Sequence, residues 1–367
     1  VKPSLPLIDD FRSVVTQRRP LIDLRAPVEF ARGSFPGAVN LPLLSDEERE
    51  AVGTTYKREG NAAAVALGHR IVSGAVKTER MRAWTDYVQT HPETVIFCWR
   101  GGQRSQIVQE WLAEAGFIVP RIRGGYKAFR RFLMEESLRL GKEKEILVIG
   151  GRTGSGKTLL IDELPDAIDL EGIARHRGSA FGRYATPQPP QIAFENALAT
   201  AQILHNDAGY RRLVIEDESR NIGQRYIPPE LFAEFQKGKV ILLEVPLEER
   251  IEITYADYIL YAQREYDEAY TRGEAPYDWI ETMRHNFRRI RKRLGGERYT
   301  RFLAMLESAW EYQQRTGNPA RHKKWIEALL TEYYDPMYDW QIENKKERIV
   351  FRGNRTEILE YLDSLAR

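Results

Sequence analysis

Two short stretches carry the residue types and spacings that chemistry needs. In Cys98-Trp99-Arg100-Gly101-Gly102-Gln103-Arg104-Ser105, the only cysteine follows the apolar run Thr94-Val95-Ile96-Phe97 and precedes a helical pattern. Ile107, Val108, Trp111, Leu112 and Ala115 share one face of that helix, and Gly116 is its expected stop. A sulfur at such a junction sits at a helix N-terminus, where free backbone N–H groups and the positive end of the dipole favour an anion. Arg100 and Arg104 add positive charge, and Gly101 and Gly102 let backbone amides converge. These features favour thiolate over thiol, and the thiolate is the nucleophile. The loop, with Gln103 and Ser105, is expected to hold a tetrahedral oxyanion beside the sulfur. The plainer alternative is a buried cysteine at a strand end.

The second stretch, Gly151-Arg152-Thr153-Gly154-Ser155-Gly156-Lys157-Thr158, matches G-x-x-x-x-G-K-[ST] after the strand candidate Glu145-Ile146-Leu147-Val148-Ile149. In such a loop the amides of Gly151, Thr153, Gly154, Ser155 and Gly156 wrap a diphosphate, Lys157 reaches its terminal phosphate, and Thr158 can ligate Mg²⁺. Leu213-Val214-Ile215-Glu216-Asp217-Glu218 is an apolar strand ending in acids, so Glu216 or Asp217 is the expected metal-ordering carboxylate, with Thr158 and Asp217 as the Mg²⁺ pair. ATP, GTP and a non-nucleotide diphosphate all satisfy this motif equally.

A third stretch is basic: Arg284, His285, Arg288, Arg289, Arg291, Lys292, Arg293, Arg298 and Arg301, interleaved with Phe287, Tyr299 and Phe302. A helix here offers a positive stripe to phosphates and aromatics that stack on unpaired bases. A solvated helix paired with the acids of residues 255–281 accounts for the same residues. Arg321, His322, Lys323 and Lys324 beside Trp325 pose the same choice.

The elements that must position these groups are those of an α/β protein. Strand, tight loop and helix recur, with further strands expected at Leu21–Leu24, Ala167–Leu170, Arg212–Ile215 and Val240–Val245. We expect one α/β domain over residues 1–140, with a helical linker at about 127–143. A second, parallel-sheet domain is expected over 144–367, helical from about 247. The 367 residues suit two or three domains. A single cysteine excludes an internal disulfide and any zinc site built on several thiolates. Hydrophobic residues at 42% and charged residues at 29% fit an ordinary globular chain. With no run of 18 apolar residues and no signal-like start, a cytoplasmic protein without membrane association is expected. The 55 basic and 53 acidic residues leave a net charge of +2, so an anionic partner must be met by local clusters.

Four successive blocks resemble the signatures of a rhodanese-like domain: Leu21 to Phe30, Gly33 to Pro42, the Cys98 loop, and Gly124-Gly125-Tyr126-Lys127-Ala128-Phe129. Domains of that family carry sulfur or selenium on the loop cysteine. Five residues separate Cys98 from Arg104, one more than in common sulfurtransferases and the same as in rhodanese-fold phosphatases and arsenate reductases. Joined to the phosphate loop, the whole resembles the tRNA 2-selenouridine synthase family. Asp169-Leu170-Glu171-Gly172, His176 to Gly182 and Tyr333 to Tyr338 are similar to further blocks of that family.

The resemblance implies a rhodanese-like domain followed by a P-loop NTPase-like domain with a helical C-terminal portion. It implies conversion of wobble 2-thiouridine in tRNA to 2-selenouridine through an S-geranyl intermediate. Geranyl diphosphate and then selenophosphate would be co-substrates, Mg²⁺ a candidate ion, and no tightly bound cofactor is expected. Cys98 would carry selenium, residues 100–105 would grip selenophosphate, and the phosphate loop would hold the diphosphate. Arg177, Arg284, Arg288, Arg289, Arg291 and Lys292 are the candidate tRNA contacts. Two other classes fit parts of the chain. One is a cysteine-dependent phosphatase or arsenate reductase fused to a nucleotide-binding module, although Phe97 stands where such enzymes commonly carry histidine. The other is a non-catalytic, nucleotide-gated tRNA-binding protein.

Overall fold

The computed structural model describes residues 4–366. The chain forms two compact units: residues 1–140 with 190–209, and residues 141–189 with 210–367.

The first unit is built on a parallel sheet of β1 (Leu7–Ile8), β2 (Leu21–Asp23), β3 (Ala38–Asn40), β4 (Val95–Phe97) and β5 (Arg121–Ile122), ordered β1-β5-β4-β2-β3. Central β4 is buried throughout, which is why its sequence is an unbroken apolar run. Alternation divides its neighbours. Val95 and Phe97 join one core with Phe35, Phe129 and Leu133, whereas Ile96 and Cys98 join another with Trp84, Val108 and Leu112. Cys98 thus falls on the side covered by the helix Gln103–Glu114.

The helix Gln191–Asp207 also belongs to this unit, adding Ala199 and Ile203 to the Phe129 core. Arg130 donates to the Asn196 side chain at 2.6 Å, and Asn196 donates to the Ser34 carbonyl at 2.9 Å. A sequence-based division at about residue 140 gives no hint of this return. The apolar stripe of a helix says that it must be covered, not by which sheet.

The second unit holds a parallel sheet of β6 (Glu145–Gly151), β7 (Ala167–Ile168), β8 (Arg212–Glu216), β11 (Lys239–Leu243) and β12 (Ile349–Gly353). Its order is β12-β11-β6-β8-β7. A small antiparallel ribbon, β9 (Asn221–Ile222) with β10 (Arg225–Tyr226), follows β8. Central β6 ends at the phosphate loop, and neighbouring β8 pairs Glu216 with Ile149, so the acidic strand end lies alongside it.

From Leu247 the chain is helical up to β12, with π-helical turns at Ala256–Tyr261 and Leu330–Tyr334. The helices Trp279–Leu294, Gly296–Thr316 and His322–Leu329 enclose a core containing Trp279, Phe287, Phe302 and Trp325, each at most 1% exposed. Burying a side chain of this size contributes on the order of 2–3 kcal/mol. Among the described residues no helix is long and apolar enough to cross a membrane.

Candidate functional site

The cysteine loop is shaped by one close approach of two backbones. Gly101 and Gly125 both have positive φ, +62° and +61°. A methyl on Gly101 would lie 2.6 Å from the Gly125 nitrogen and 2.7 Å from the Ile122 carbonyl oxygen. Only glycine permits that contact. The Tyr126 and Lys127 N–H groups donate to the carbonyls of Cys98 and Trp99 at 2.8 and 3.0 Å, and Arg121 donates to the Gly101 carbonyl. The Gly124-Gly125-Tyr126 block therefore sets the loop's curvature.

Within the loop, Cys98 is 3% exposed, and its sulfur donates to Ser105 Oγ at 3.2 Å. Ser105 donates in turn to the Gly102 carbonyl at 3.1 Å. Gly102 caps the helix Gln103–Glu114, so the sulfur lies at its N-terminus as the sequence implies. Trp99 is exposed and stacks on Tyr126 at 5.4 Å, while the Arg25 guanidinium lies 3.8 Å from the centre of the Tyr126 ring. Arg25 is held in a buried pair with Asp23, Nη2 to Oδ2 2.6 Å.

The two loop arginines differ. Arg104 makes a forked pair with Glu29, 2.6 and 3.2 Å, and Arg49 reaches the same carboxylate at 3.3 Å. Burial works against the charge of Glu29, yet Arg104, the Ala26 N–H and Arg49 hold its pKa below the ordinary value. Arg104 is thus already matched by an acid. Arg100 is exposed, and among the described residues no ion pair engages it.

The phosphate loop leaves β6 through Gly150-Gly151 and enters the helix Lys157–Ile161 by way of Gly156, whose backbone is left-handed. Lys157 Nζ donates to the Gly151 carbonyl at 3.0 Å. The loop is clamped from outside by Arg250, only 2% exposed. Its Nε and Nη2 donate to the Thr153 carbonyl at 3.0 and 2.9 Å, and its guanidinium forks onto Asp335 at 2.6 and 3.0 Å. Tyr338 adds its hydroxyl near Gly150, where an added methyl would lie 3.1 Å from it. Asp335 and Tyr338 both belong to the Tyr333 to Tyr338 block, which thereby braces the loop.

The acids after β8 are sorted by the fold. Asp217 pairs with Lys345 at 2.5 Å. Glu216, 1% exposed, accepts from the Leu170 N–H at 3.0 Å while its other oxygen has no partner. Burial, with Asp169 nearby, pushes Glu216 well above the ordinary carboxyl value. Glu218 and Glu171 are the acids that face Lys157. Thr158 Oγ1 donates to Glu171 Oε2 at 3.4 Å. Burial raises both carboxyls, Glu218 strongly, and the hydrogen bond between them raises Glu218 further while lowering Glu171. Both carboxyls are thus pushed toward the protonated form, and a hydrogen bond joins them. Glu171 and this proton-sharing pair were not singled out from sequence. The signal available was Glu171 in the Asp169 to Gly172 block, where Asp169 caps the helix Leu170–Ala174 and so aims Glu171 at the loop.

Thr158 and Glu171 offer hard oxygen donors, the chemistry that suits Mg²⁺. Among the described residues no group of three His, Cys, Asp or Glu side chains is arranged as a metal site. An ion here would therefore complete its shell with phosphate oxygens and water.

The basic stretch divides into paired and free charges. Arg284 forks onto Glu307 and also reaches Glu281 at 2.6 Å, and Arg288 lies 3.6 Å from Glu281. Arg291 lies 5.2 Å from the Tyr299 ring. Arg177 pairs with Glu265 at 3.1 Å and packs 4.0 Å from the Tyr184 ring. Arg289 and Lys292 are exposed, with no ion pair among the described residues. Burial and the like charge of Arg183 lower the pKa of Arg289, so Arg183 is a further basic group that the sequence reading missed.

The aromatic half of that reading fails for Phe287, Phe302 and Trp325, which are fully buried and cannot stack on a base, whereas Tyr299 is half-buried. The reason is periodicity: Trp279, Ile280, Met283, Phe287, Ile290 and Leu294 form one apolar face, leaving the arginines the other. His322 is likewise internal, held between Gln313 and Trp325.

Known proteins share this pattern. The rhodanese-like domain family matches residues 8–132, and the family described as tRNA 2-selenouridine synthase AAA domain matches residues 144–367. The chain is similar to the tRNA 2-selenouridine synthase of Sulfurovum sp. (strain NBC37-1), 52% identical over 98% of either chain. That of Hydrogenovibrio crunogenus is 48% identical over 98% of this chain and 99% of its own. That of Cupriavidus pinatubonensis is 48% identical over 96% and 97%.

Proposed function

The chain belongs to the tRNA 2-selenouridine synthase family, and from that membership we propose that it converts wobble 2-thiouridine of tRNA to 2-selenouridine in two steps, one at each loop. The observation that carries this reading is the pairing, in one chain, of two unlike anion cradles. One presents a sulfur nucleophile; the other presents Lys157 facing the buried carboxyls of Glu171 and Glu218.

In the first step the 2-thio sulfur attacks C1 of geranyl diphosphate, a C–S bond forms, the C–O bond breaks, and diphosphate departs with the electron pair. The uridine N3 proton must leave as well. Lys157 and the loop amides stabilise the departing diphosphate, and Glu171 accepts the proton. Mg²⁺ held by Thr158 would supply further neutralisation of the diphosphate. In the second step the Cys98 thiolate attacks the phosphorus of selenophosphate and the P–Se bond breaks; the hydrogen selenide released attacks C2, a C–Se bond forms, the C–S bond breaks and geranylthiol leaves with a proton from water, and water then frees Cys98 as phosphate departs. Alkylation thus turns a poor leaving group into a good one. Arg100 and the amides of residues 101–105 hold the phosphate end, with Arg104 fixed by Glu29 as part of the wall. Arg183, Arg289 and Lys292, with no ion pair among the described residues, are the groups best suited to tRNA phosphates, with Arg291 beside them and Arg177, Arg284 and Arg288 already engaged.

The test is nucleoside mass spectrometry of 2-thiouridine tRNA incubated with the protein, geranyl diphosphate and selenophosphate, each omitted in turn. Geranyl diphosphate alone should give S-geranyl-2-thiouridine, and both together 2-selenouridine. Formation of 2-selenouridine without geranyl diphosphate would overturn the two-step order.

A further inference from the structure

The first unit contains a cavity of about 480 Å³ between the helices Asp46–Glu59 and Asn61–Ile71 and the start of Gln103–Glu114. Its walls are apolar, formed by side chains such as Val52, Val65, Ile107 and Trp111. Arg49, Glu50, Lys57, Gln103 and Arg104 line it as well, the charges of Arg49 and Arg104 being met by Glu29. The volume lies within the range of small-ligand pockets, and apolar walls with a few convergent polar groups are the usual make-up of one.

Its location relates it to the cysteine loop. Gln103 and Arg104 belong to the loop itself, and Cys98 packs in the same apolar cluster as Leu43, Leu44, Val72 and Trp111, which line the cavity. A ligand filling this space would place one end beside the loop that handles selenium. Of the reactants in the proposed scheme, selenophosphate, diphosphate and RNA are polar throughout. The ten-carbon alkenyl chain is not, and outside a pocket its surface would remain in water during the second step.

We infer that this cavity binds the geranyl chain of S-geranyl-2-thiouridine, holding the modified base with C2 toward the Cys98 loop and receiving the chain as geranylthiol leaves. The inference rests on the two-step reading and adds a selectivity to it: the selenation site recognises its substrate by the alkyl group to be displaced. Lys57, exposed on the rim, lies where it can meet the phosphate of the same or a neighbouring nucleotide.

The test uses the full chain and two synthetic anticodon stem-loops, one carrying S-geranyl-2-thiouridine and one S-methyl-2-thiouridine. The wild type should bind the geranyl RNA at least tenfold more tightly than the methyl RNA. Val65→Trp, which fills the cavity, should bring that ratio near one. The ratio is its own control, because a variant that fails to fold loses both affinities. A second measurement needs no variant: free geraniol should displace the geranyl RNA from the wild type but not the methyl RNA. Equal wild-type affinities, or a full ratio retained in Val65→Trp, would overturn the inference. If the protein makes no S-geranyl product from geranyl diphosphate yet still prefers the geranyl RNA, the two-step reading fails and the cavity assignment stands. If it geranylates tRNA but shows no preference, the cavity assignment alone fails.

Discussion

The cysteine loop and the phosphate loop are built on the same plan and finished differently. Each leaves a central buried strand of a parallel sheet and enters a helix, and each uses glycines to turn its backbone. In the cysteine loop the bracing is backbone against backbone, Gly101 on Gly125, and the nearby charge pairs, Arg104 with Glu29 and Arg25 with Asp23, are internally settled. In the phosphate loop the bracing is a side chain, Arg250, and the charges facing inward are left unsettled: Lys157 opposite two carboxyls that share a proton. The lesson is a division of labour. A nucleophile needs a rigid, quiet cradle, whereas neutralising a leaving group and collecting a proton needs groups whose charge can change.

The largest effect should separate the two loops completely. Cys98→Ala is expected to abolish 2-selenouridine while S-geranyl-2-thiouridine accumulates, and Lys157→Ala to abolish geranyl transfer while pre-geranylated tRNA is still selenated. Nucleoside mass spectrometry reads both. A Cys98→Ala enzyme that still makes 2-selenouridine at the normal rate would break the comparison at its root.

Next in size is the difference in bracing. Removing one partner of a buried, hydrogen-bonded ion pair costs about 3–5 kcal/mol, and Arg250 is such a partner for Asp335. Arg250→Met should lower the thermal stability of the second unit by several degrees and impair geranyl transfer, leaving Cys98-dependent selenation of pre-geranylated tRNA intact. Calorimetry together with the two half-reaction assays checks this. Equal losses in both half-reactions would mean that the clamp serves general folding and not the phosphate loop.

How much of this contrast was legible in the sequence follows from how local each feature is. Both loops announced themselves, because the apolar run, the glycines and the reactive residue are contiguous and the strand-to-helix context dictates their placement. The α/β architecture was legible for the same reason. The bracing was not, since Arg250 and Asp335 lie about a hundred residues or more beyond the loop they hold, and an arginine in an acidic helix reads as a surface charge. For Phe287, Phe302 and Trp325 the aromatic content near arginines left two readings open, although helical spacing already places Phe287 on the apolar face. Glu171 was passed over because three acids in a row after β8 drew the metal-ligand argument to themselves, although the sheet turns Asp217 toward Lys345.

A smaller effect tests whether Glu171 takes the N3 proton. General-base catalysis is worth about 10²–10⁴-fold, so Glu171→Gln should slow geranyl transfer by about a hundredfold, with the loss appearing in kcat more than in KM for geranyl diphosphate. Selenation of pre-geranylated tRNA should be unaffected. A rise in KM with kcat unchanged would recast Glu171 as a group that orders Thr158 and the diphosphate.

The smallest effect concerns the proton shared by the acid pair. Burial and the neighbouring charge of Glu171 raise the Glu218 carboxyl well above its ordinary value. In the unfolded chain Glu218 loses its proton near pH 4.5, whereas the folded protein keeps it to higher pH. Above the unfolded value the native state therefore binds more protons, and stability falls as pH rises toward the folded pKa. An amide in place of the protonated carboxyl removes that dependence. Glu218→Gln should thus melt a few degrees above the wild type at pH 8, with the gap narrowing as the pH is lowered toward 4.5. A gap that widens on acidification would mean that Glu218 is ionised in the folded state and that Lys157 faces a carboxylate there.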